Sequence, residues 1–400
     1  MNGGPLSDIV VVDLTRALAG PHAAMMLADL GARVIKVETP GGGDDTRGWG
    51  PPFVARTADG LTTEIPSTKG ISTYFLSCNR NKESIALDLK SDDGRELLTE
   101  LVRRADVLLE NFRPGVLDRL GFSAERLLEL NPRLVILSIS GFGHDGPEGG
   151  RAGYDQIAQG EGGLMSLTGT GPDDPQRVGV PIGDLLAGMY GGFGVLAALL
   201  ERERTGRGQL VRTSLLASVV GVHAFQGSRY TVAGEVGRAQ GNHHPSIAPY
   251  GLFRCRDTAI QIAVGSEGLW RRFCAGFGLD PDADGLATNP DRVAGRARLI
   301  EVVEAAFAGW DAADLLPRLA ELGVPAGRVR SLDEVYGWEQ TRSQGLLIDV
   351  EHASLGSVTL PGPPLRFFAA DGAEVTLREH AAPPTLDQDG AAIRAWLGRG

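Results

Sequence analysis

The first 150 residues alternate between short apolar runs and helical segments, and this alternation determines the fold class more strongly than any other feature. Residues 8–14 form an apolar run, Pro21 and Gly31 bracket a helical pattern, and a second apolar run follows at 32–38. A strand, a helix and a second strand in this order are typical of a βαβ unit, because parallel strands need a long crossover between them. The sequence therefore predicts an α/β fold with an open, mostly parallel sheet.

The pattern recurs up to about residue 143, with further strand-like and helical stretches at 84–89, 92–105, 106–112, 124–130 and 133–143. Near residue 226 the chain becomes polar and rich in Gly and Pro before β-type runs return. We predict a large Rossmann-like domain over residues 1–225 and a smaller α+β domain over 226–330. Residues 331–400 are predicted to return and complete the large domain.

Composition excludes several classes of function. The net charge is −11, and broad nucleic-acid binding needs a positive field. The three cysteines are widely spaced, which favours free thiols in a reduced, cytoplasmic protein and gives no metal-binding spacing. We expect no apolar run near the roughly 18 residues of a membrane helix, and the N-terminus lacks the basic region of a secretory signal. We therefore expect no metal, nucleic-acid or membrane partner.

Two aspartates stand at the start of predicted helices. Asp184 follows Gly183 and precedes an apolar, glycine-rich helical segment at 185–203, and Asp155 follows Tyr154. Each has a plain explanation as a helix cap, since Asp is favoured there. Asp184 is also placed for chemistry, because a helix N-terminus keeps a carboxylate ionised and orients it. The residues alone leave both explanations open.

Other polar residues follow the predicted strands. Glu38 ends the second strand, as the ribose-binding acid of a dinucleotide site does, but the first turn reads TRALAGP and lacks the glycines that let a pyrophosphate approach. Basic residues at strand ends fit either a solvated surface or a phosphate site: Arg80, Lys82, Lys90, Arg113 and Arg119. The adjacent His243 and His244 lack a third metal ligand nearby and indicate a loop.

Taken in order, several blocks of the chain resemble one family. They are VVDLTRALAGPHAAMMLADLGARVIKVE, NRNKESIALDLK, DVLLENFRPGVLDRLGF, AGYDQIAQGEGGLMSLTG, GDLLAGMYGGFGVLAALLERERTGRGQ and GNHHPSIAPYGLF. Together they resemble the family III CoA-transferases, the CaiB/BaiF group. The resemblance implies a nucleophilic Asp184 and an interlocked homodimer of two-domain subunits. It also implies acyl-CoA and a small carboxylic acid as substrates, without a permanently bound cofactor.

The resemblance further implies which residues contact the substrates. These are Ala17, Leu18, Thr39, Lys90, Asn111, Phe112, Arg119, Tyr154 and Asp155. Leu18 stands where some formate- and oxalate-handling members have Gln, and GNHHPSIAPY replaces their glycine-rich loop. The loop 241–248 is the candidate source of oxyanion-stabilising N–H groups, and Pro172–Gln176 is expected to help shape the acid pocket.

Two alternatives remain beside CoA transfer. The related 2-methylacyl-CoA racemases have His where this chain has Tyr154, and racemisation needs an acid/base group on each face of the reacting carbon. A phenol is a weak base at neutral pH, which favours transfer over racemisation. A protein that binds CoA without turnover is the alternative from another class, and the presence of Asp184 argues against it.

Overall fold

The structure is a computed structural model and describes residues 3–66 and 69–399. Its strands, in chain order, are β1 (Val10–Asp13), β2 (Arg33–Glu38), β3 (Phe53–Thr57), β4 (Gly60–Thr62), β5 (Ile71–Ser72), β6 (Lys82–Ala86), β7 (Val107–Glu110), β8 (Val135–Ser140), β9 (Leu210–Ser214), β10 (Tyr250–Arg254), β11 (Ala259–Ala263), β12 (Ala326–Arg328), β13 (Leu347–His352) and β14 (Gly356–Pro361).

The helices, in the same order, are α1 (Ala19–Asp29), α2 (Thr73–Ser77), α3 (Asp92–Arg104), α4 (Val116–Arg119), α5 (Ala124–Leu130), α6 (Asp155–Glu161), α7 (Leu164–Leu167), α8 (Ile182–Thr205), α9 (Leu215–Gly221), α10 (Ala224–Ala233), α11 (Glu267–Phe277), α12 (Asn289–Ala294), α13 (Arg296–Phe307), α14 (Ala312–Glu321), α15 (Leu332–Gly337), α16 (Glu339–Ser343) and α17 (Gly390–Trp396). A short 3₁₀ helix covers Asp45–Gly48.

A six-stranded parallel sheet forms the centre of the large unit. Its order is β6-β2-β1-β7-β8-β9. Counted along this sheet alone, that is strand order 3-2-1-4-5-6, the doubly wound arrangement in which the direction of winding reverses between the first and fourth strands. Apolar clusters cover both faces of the sheet, which is why the strands read as continuous apolar runs. The predicted α/β fold with a parallel sheet is confirmed.

Local sequence signals account for the helix α3. Ser91 caps it by accepting a hydrogen bond from the Gly94 N–H, two acids occupy its first turn, and Arg103 and Arg104 occupy its last. Charges in this order oppose the helix dipole and stabilise both ends. Its leucines recur on one face and are buried against the sheet, so this helix begins at Asp92 and ends at Arg104, close to the predicted 92–105.

The glycines of α8 permit close packing against neighbouring elements. A Cβ at Gly188 would stand 2.6 Å from the carbonyl oxygen of Ala19 in α1, and one at Gly191 would stand 2.9 Å from Leu137 in β8. By length and composition this 24-residue helix could also cross a membrane. Our expectation that no apolar run comes near that length is therefore wrong. Nearly half of the apolar stretch is buried, and a core helix packed on a sheet passes the same test.

The chain divides into two compact units. The large unit contains the chain up to residue 164, residues 178–232 and the chain from 339 onward. The small unit contains 233–338 and also 165–177, a segment that we assigned to the large domain. It groups there because the backbone N–H groups of Ala239 and Gly241 donate to the carbonyls of Ser166 and Gly169.

The small unit has its own core. Strands β10, β11 and β12 form an antiparallel sheet. Its helices bury Trp270, Phe273 and Phe307, and the rings of Phe273 and Phe307 lie edge to face with centroids 5.9 Å apart. The hairpin of β13 and β14 belongs to the large unit, where its apolar residues pack with Leu76.

Candidate active site

The first element of the site is the pair of loops that follow β1 and β7. These neighbouring strands flank the point where the sheet reverses its winding, which is where open α/β sheets bind ligands. Asn111 joins the two loops, since its Oδ1 accepts from the Arg16 N–H at 2.9 Å and its Nδ2 donates to the Arg16 carbonyl at 2.7 Å. The loop after β1 is thus held in one register against the loop after β7.

Buried charges support the loop after β1 from below. Ala17 has a positive φ of 64°, unusual for a residue with a side chain, and its N–H donates to Asp44 Oδ1 at 3.3 Å. The ammonium of Lys36 lies 2.8 Å from Asp44 Oδ2 and donates to the carbonyl of Thr15 at 2.9 Å. Both charged side chains are buried. A buried pair satisfied in this way fixes the backbone rather than offering charge to a ligand.

Asp184 occupies the first turn of α8, in a half-buried position. The start of this helix is held by Asp155, whose Oδ1 accepts from the N–H groups of Gly183 at 2.7 Å and Asp184 at 3.4 Å. Gln159 orients the other oxygen of Asp155 with a 2.8 Å hydrogen bond. Within residues 3–66 and 69–399, neither carboxylate oxygen of Asp184 accepts a hydrogen bond, so both are available to react.

Two causes raise the pKa of the Asp184 carboxyl from its ordinary 3.8 to about 7: burial, and then the nearby charge of Asp155. This corrects our expectation that the helix N-terminus keeps Asp184 ionised, because desolvation and a like charge outweigh the helix dipole. Burial and the Asp184 charge likewise raise the pKa of the Tyr74 phenol. Tyr74 therefore stays protonated beside a carboxylate that changes charge near neutral pH.

A cavity of about 510 Å³ brings these groups together. Five residues predicted from the sequence line it: Ala17, Asn111, Phe112, Tyr154 and Asp184. Arg16 and Tyr74 line it as well. Tyr154 is 69% exposed, whereas Asp155 lines the wall as a buried support of the helix. The cavity thus runs from the reversal point of the sheet to the Asp184 carboxylate.

A second cavity, of about 640 Å³, lies beyond the ends of β2 and β6. Thr39, Lys90 and Phe112 line it, as does Arg16. Arg16 and Phe112 line both cavities, and the Arg16 guanidinium lies 5.7 Å from the Phe112 ring centroid and donates to Thr39 Oγ1 at 3.0 Å. The two cavities are therefore neighbours that share one wall.

Comparison with known proteins identifies the chain. The sequence profile described as CoA-transferase family III matches residues 6–390. The chain belongs to CoA-transferase family III. It is 40% identical to the succinate–glutarate CoA-transferase of Agrobacterium fabrum over 98% of this chain and 96% of that protein. It is 37% identical to the acetyl-CoA:oxalate CoA-transferase of Acetobacter aceti over 98% of this chain and 95% of that protein.

A solved structure shares the fold of this family III CoA-transferase. The crystal structure of a CaiB/BaiF family protein from Brucella suis is 39% identical and covers 99% of this chain and 100% of that one, with a TM-score of 0.83. The resemblance stated from the sequence is confirmed, and with it the assignment as a CoA-transferase. The names of the two curated relatives favour CoA transfer over racemisation and over binding without turnover.

Two residues that the family resemblance implies lie outside the lining of both cavities. Leu18 is only 5% exposed and packs with Met25 and Cys78. Arg119 is an exposed residue at the end of the short helix α4 and does not line either cavity. In each case the loop conformation decides the direction of the side chain, and sequence spacing does not carry that information.

Several charged residues at strand ends in this family III CoA-transferase are structural. Arg80 pairs with Asp29, and Lys82 lies 3.0 Å from Asp13 in a fully buried pair. Glu38 is buried by Arg47 and Ser84, so it has no free oxygen for a ribose. Among residues 3–66 and 69–399, no cluster of His, Cys, Asp and Glu fits a metal ion.

The candidate oxyanion loop 241–248 and the segment Pro172–Gln176 belong to the small unit. His244 stacks on Tyr250 with ring centroids 5.1 Å apart. Sequence reasoning missed Arg16, Tyr74 and Arg151, which line the first cavity. A signal existed only for Arg16, which directly precedes the two residues singled out in the first turn.

Proposed function

We propose that this enzyme moves CoA from an acyl-CoA donor to a free carboxylic acid through covalent intermediates on Asp184. One observation carries the proposal. The only carboxylate on the first turn of α8 faces a cavity that continues to the loops after β1 and β7, and both of its oxygens are unpaired among the residues described. These properties support a role for Asp184 as a nucleophile rather than as a helix cap.

The two neighbouring cavities offer a path for a CoA thioester. We propose that the nucleotide occupies the cavity beside Thr39 and Lys90, where a cation and strand-end backbone are available. The pantetheine arm would then pass Arg16 and Phe112, which line both cavities. This route brings the thioester carbonyl to Asp184.

The chemistry explains why a carboxylate serves here. Ester formation on a serine would dissipate the energy of the thioester, whereas a carboxylate gives a mixed anhydride of similar reactivity, so each step stays reversible. Asp184 attacks the thioester carbonyl and the C–S bond breaks, releasing the CoA thiolate. The thiolate then attacks the Asp184 carbonyl, which frees the donor acid and leaves an aspartyl-CoA thioester.

The second half repeats these steps in reverse. The acceptor carboxylate attacks the aspartyl thioester and expels the thiolate, giving a new mixed anhydride. The thiolate attacks the acceptor carbonyl, and the C–O bond to the acceptor breaks, which restores Asp184 as a carboxylate. No proton is consumed overall. The protonated phenol of Tyr74 lines the same cavity and is a candidate donor to the oxyanions, an interaction worth about 3 kcal/mol in other enzymes.

We propose dicarboxylic acids as the acceptors and succinyl-CoA as the first donor to test. The names of the two curated relatives include succinate, glutarate and oxalate, and these acids share two carboxylates. The segment IAPYGLF also resembles dicarboxylate-using members. A panel of acyl-CoA donors against free acids of two to six carbons, read by mass spectrometry, tests this choice.

Hydroxylamine trapping tests the covalent step itself. Incubation with acyl-CoA and hydroxylamine is expected to convert Asp184 to a hydroxamate, which tryptic mass spectrometry locates. Asp184→Ala is expected to lose both the adduct and transfer. An Asp184→Ala protein that still transfers CoA contradicts the proposal. Exchange of deuterium at the α-carbon of the acyl group without an acceptor acid would instead favour the racemase.

We further propose that the enzyme works as the interlocked homodimer of its family, in the cytoplasm. Support for a partner comes from α8, where Phe193 is 71% and Leu200 is 76% exposed. Apolar side chains grouped on one helix favour a protein partner. Three unpaired cysteines favour a reducing compartment. Light scattering at micromolar concentration tests the dimer, and fractionation of cells tests the compartment.

A further inference from the structure

A buried polar cluster lies behind the loop that follows β7. Its members are Glu110, the last residue of β7, Ser138 in β8, and His144 in the loop after β8. They line a small cavity of about 210 Å³ that does not include Asp184. Glu110 and Ser138 are each less than one-tenth exposed. The catalytic steps proposed above use none of the three.

Hydrogen bonds connect the cluster in a chain. Ser138 Oγ donates to Glu110 Oε1, and His144 Nε2 lies 2.6 Å from Ser138 Oγ. On its other side, His144 Nδ1 lies 3.5 Å from Ser140 Oγ. The remaining oxygen of Glu110 accepts the Phe112 N–H at 2.9 Å. One carboxylate therefore joins the buried cluster to the loop that borders both cavities.

The hydrogen bond from Phe112 to Glu110 fixes the backbone of residues 110–112. Asn111 lies between Glu110 and Phe112 and grips both polar groups of the Arg16 backbone. Phe112 lines both cavities. Loss of the bond from Phe112 to Glu110 would free the segment that sets the position of both residues, while leaving α8 and Asp184 untouched.

We infer that Glu110 is a positioning residue for CoA binding, which holds Asn111 and Phe112 in place, and that Ser138 and His144 hold its carboxylate. The inference rests on the proposed placement of CoA along the loops after β1 and β7. It concerns affinity for CoA and not the covalent chemistry of Asp184.

The direction of the hydrogen bonds follows from the acceptor. An ionised carboxylate only accepts, so Ser138 donates to Glu110 and His144 must donate to Ser138 from Nε2. Burial, and then Arg212, lower the pKa of His144, so the ring carries a single proton near neutral pH. Burial raises the pKa of Glu110, while the bonds from Ser138 and Phe112 oppose that rise. Asp118 and Arg212 are the other charges that face it.

A glutamine at position 110 separates the bond to the Phe112 N–H from the bond to Ser138. Its amide oxygen keeps the acceptor for the Phe112 N–H, whereas its NH₂ group turns toward Ser138. Ser138 must then donate to His144 Nε2, which places the ring proton on Nδ1, next to Ser140. Glu110→Gln thus preserves the loop and reverses the chain, while Glu110→Ala removes the anchor of the loop.

The test compares Glu110→Ala, Glu110→Gln and the control Asp106→Asn. Asp106 is also a structural carboxylate, but it directly precedes β7, at the end of the strand opposite to Glu110. It accepts hydrogen bonds from the Val10 N–H and from the Arg202 guanidinium. Calorimetry with free CoA measures affinity without turnover. We expect Glu110→Ala to weaken CoA binding about tenfold or more, the value of a lost hydrogen bond to a charged group. Glu110→Gln and Asp106→Asn should stay within about threefold of the wild type.

Nitrogen NMR of the histidines supplies the second measurement. In Glu110→Gln the His144 proton should move from Nε2 to Nδ1. Wild-type affinity in Glu110→Ala, an equal loss in Asp106→Asn, or an unchanged His144 tautomer in Glu110→Gln would each overturn the inference. If Glu110→Ala does not fold, Glu110→Leu, which keeps the bulk of the side chain but removes the acceptor, replaces it in the calorimetric comparison, with the same expected loss. A wild-type enzyme that does not bind CoA would refute the proposed function as well, whereas hydroxamate formation at Asp184 tests that function independently.

Discussion

The raised pKa of Asp184 predicts that Asp184→Asn makes the folded enzyme more stable at alkaline pH. The pKa rises from 3.8 to about 7 on folding. A shift of about three units at about 1.4 kcal/mol each sets an upper limit of about 4 kcal/mol on the cost of ionising Asp184 in the folded state. Because the side chain is half-buried, solvent screening should reduce the measured value to on the order of 2 kcal/mol.

The sign of the pH dependence follows from where each state ionises. Below pH 3.8 the group is protonated in both states and costs nothing; between 3.8 and about 7 only the unfolded chain ionises, so the folded state loses relative stability. Above about pH 7 the cost is complete. Urea unfolding of both proteins at several pH values measures the difference, which cancels the other titrating groups. An Asp184→Asn gain that is the same at pH 4 and pH 8, or a loss at pH 8, would refute the reasoning.

Two further predictions concern activity. The kcat/KM of the wild type should rise with pH as Asp184 ionises around pH 7. Asp155→Asn should move this rise toward lower pH by about 1 unit or less, because burial contributes more to the pKa of Asp184 than the Asp155 charge does. A rise that stays in place or moves to higher pH contradicts the assignment. Asn111→Ala removes both hydrogen bonds to the Arg16 backbone and should raise the KM for acyl-CoA about tenfold with little change in kcat. Asn111→Asp keeps the acceptor for the Arg16 N–H and should raise KM less. Equal effects on kcat and KM would argue for a merely structural role.

Much of the fold was readable from local periodicity. The alternation of short apolar runs with helical spacing predicted strands of the parallel sheet and helix α3, because apolar spacing and capping residues act locally. The grouping of 165–177 with the small unit was not readable, since it depends on two backbone hydrogen bonds between distant segments.

The site was readable in part, for a similar reason. Ala17, Asn111 and Phe112, which the family resemblance implies, line the first cavity together because strand ends of one sheet share an edge. Leu18 and Arg119 lie outside the lining of these two cavities, because backbone dihedrals decide which neighbours point toward a given cavity. The protonation behaviour of Asp184 was also missed, since burial and the charge of Asp155 arise only when α6 and α8 come together. Tyr74 left no signal in the sequence around it.

Isotope transfer tests the central claim most directly. An acceptor acid labelled with ¹⁸O in its carboxylate attacks the aspartyl thioester, and the later cleavage between acceptor carbon and bridging oxygen leaves one ¹⁸O on Asp184. After a single turnover with unlabelled acyl-CoA, the tryptic peptide containing Asp184 should gain the mass of one ¹⁸O for ¹⁶O exchange, while the peptide containing Asp155 gains none. Formation of the labelled product thioester with no ¹⁸O at Asp184, and none in the acid released from the donor, would contradict the account.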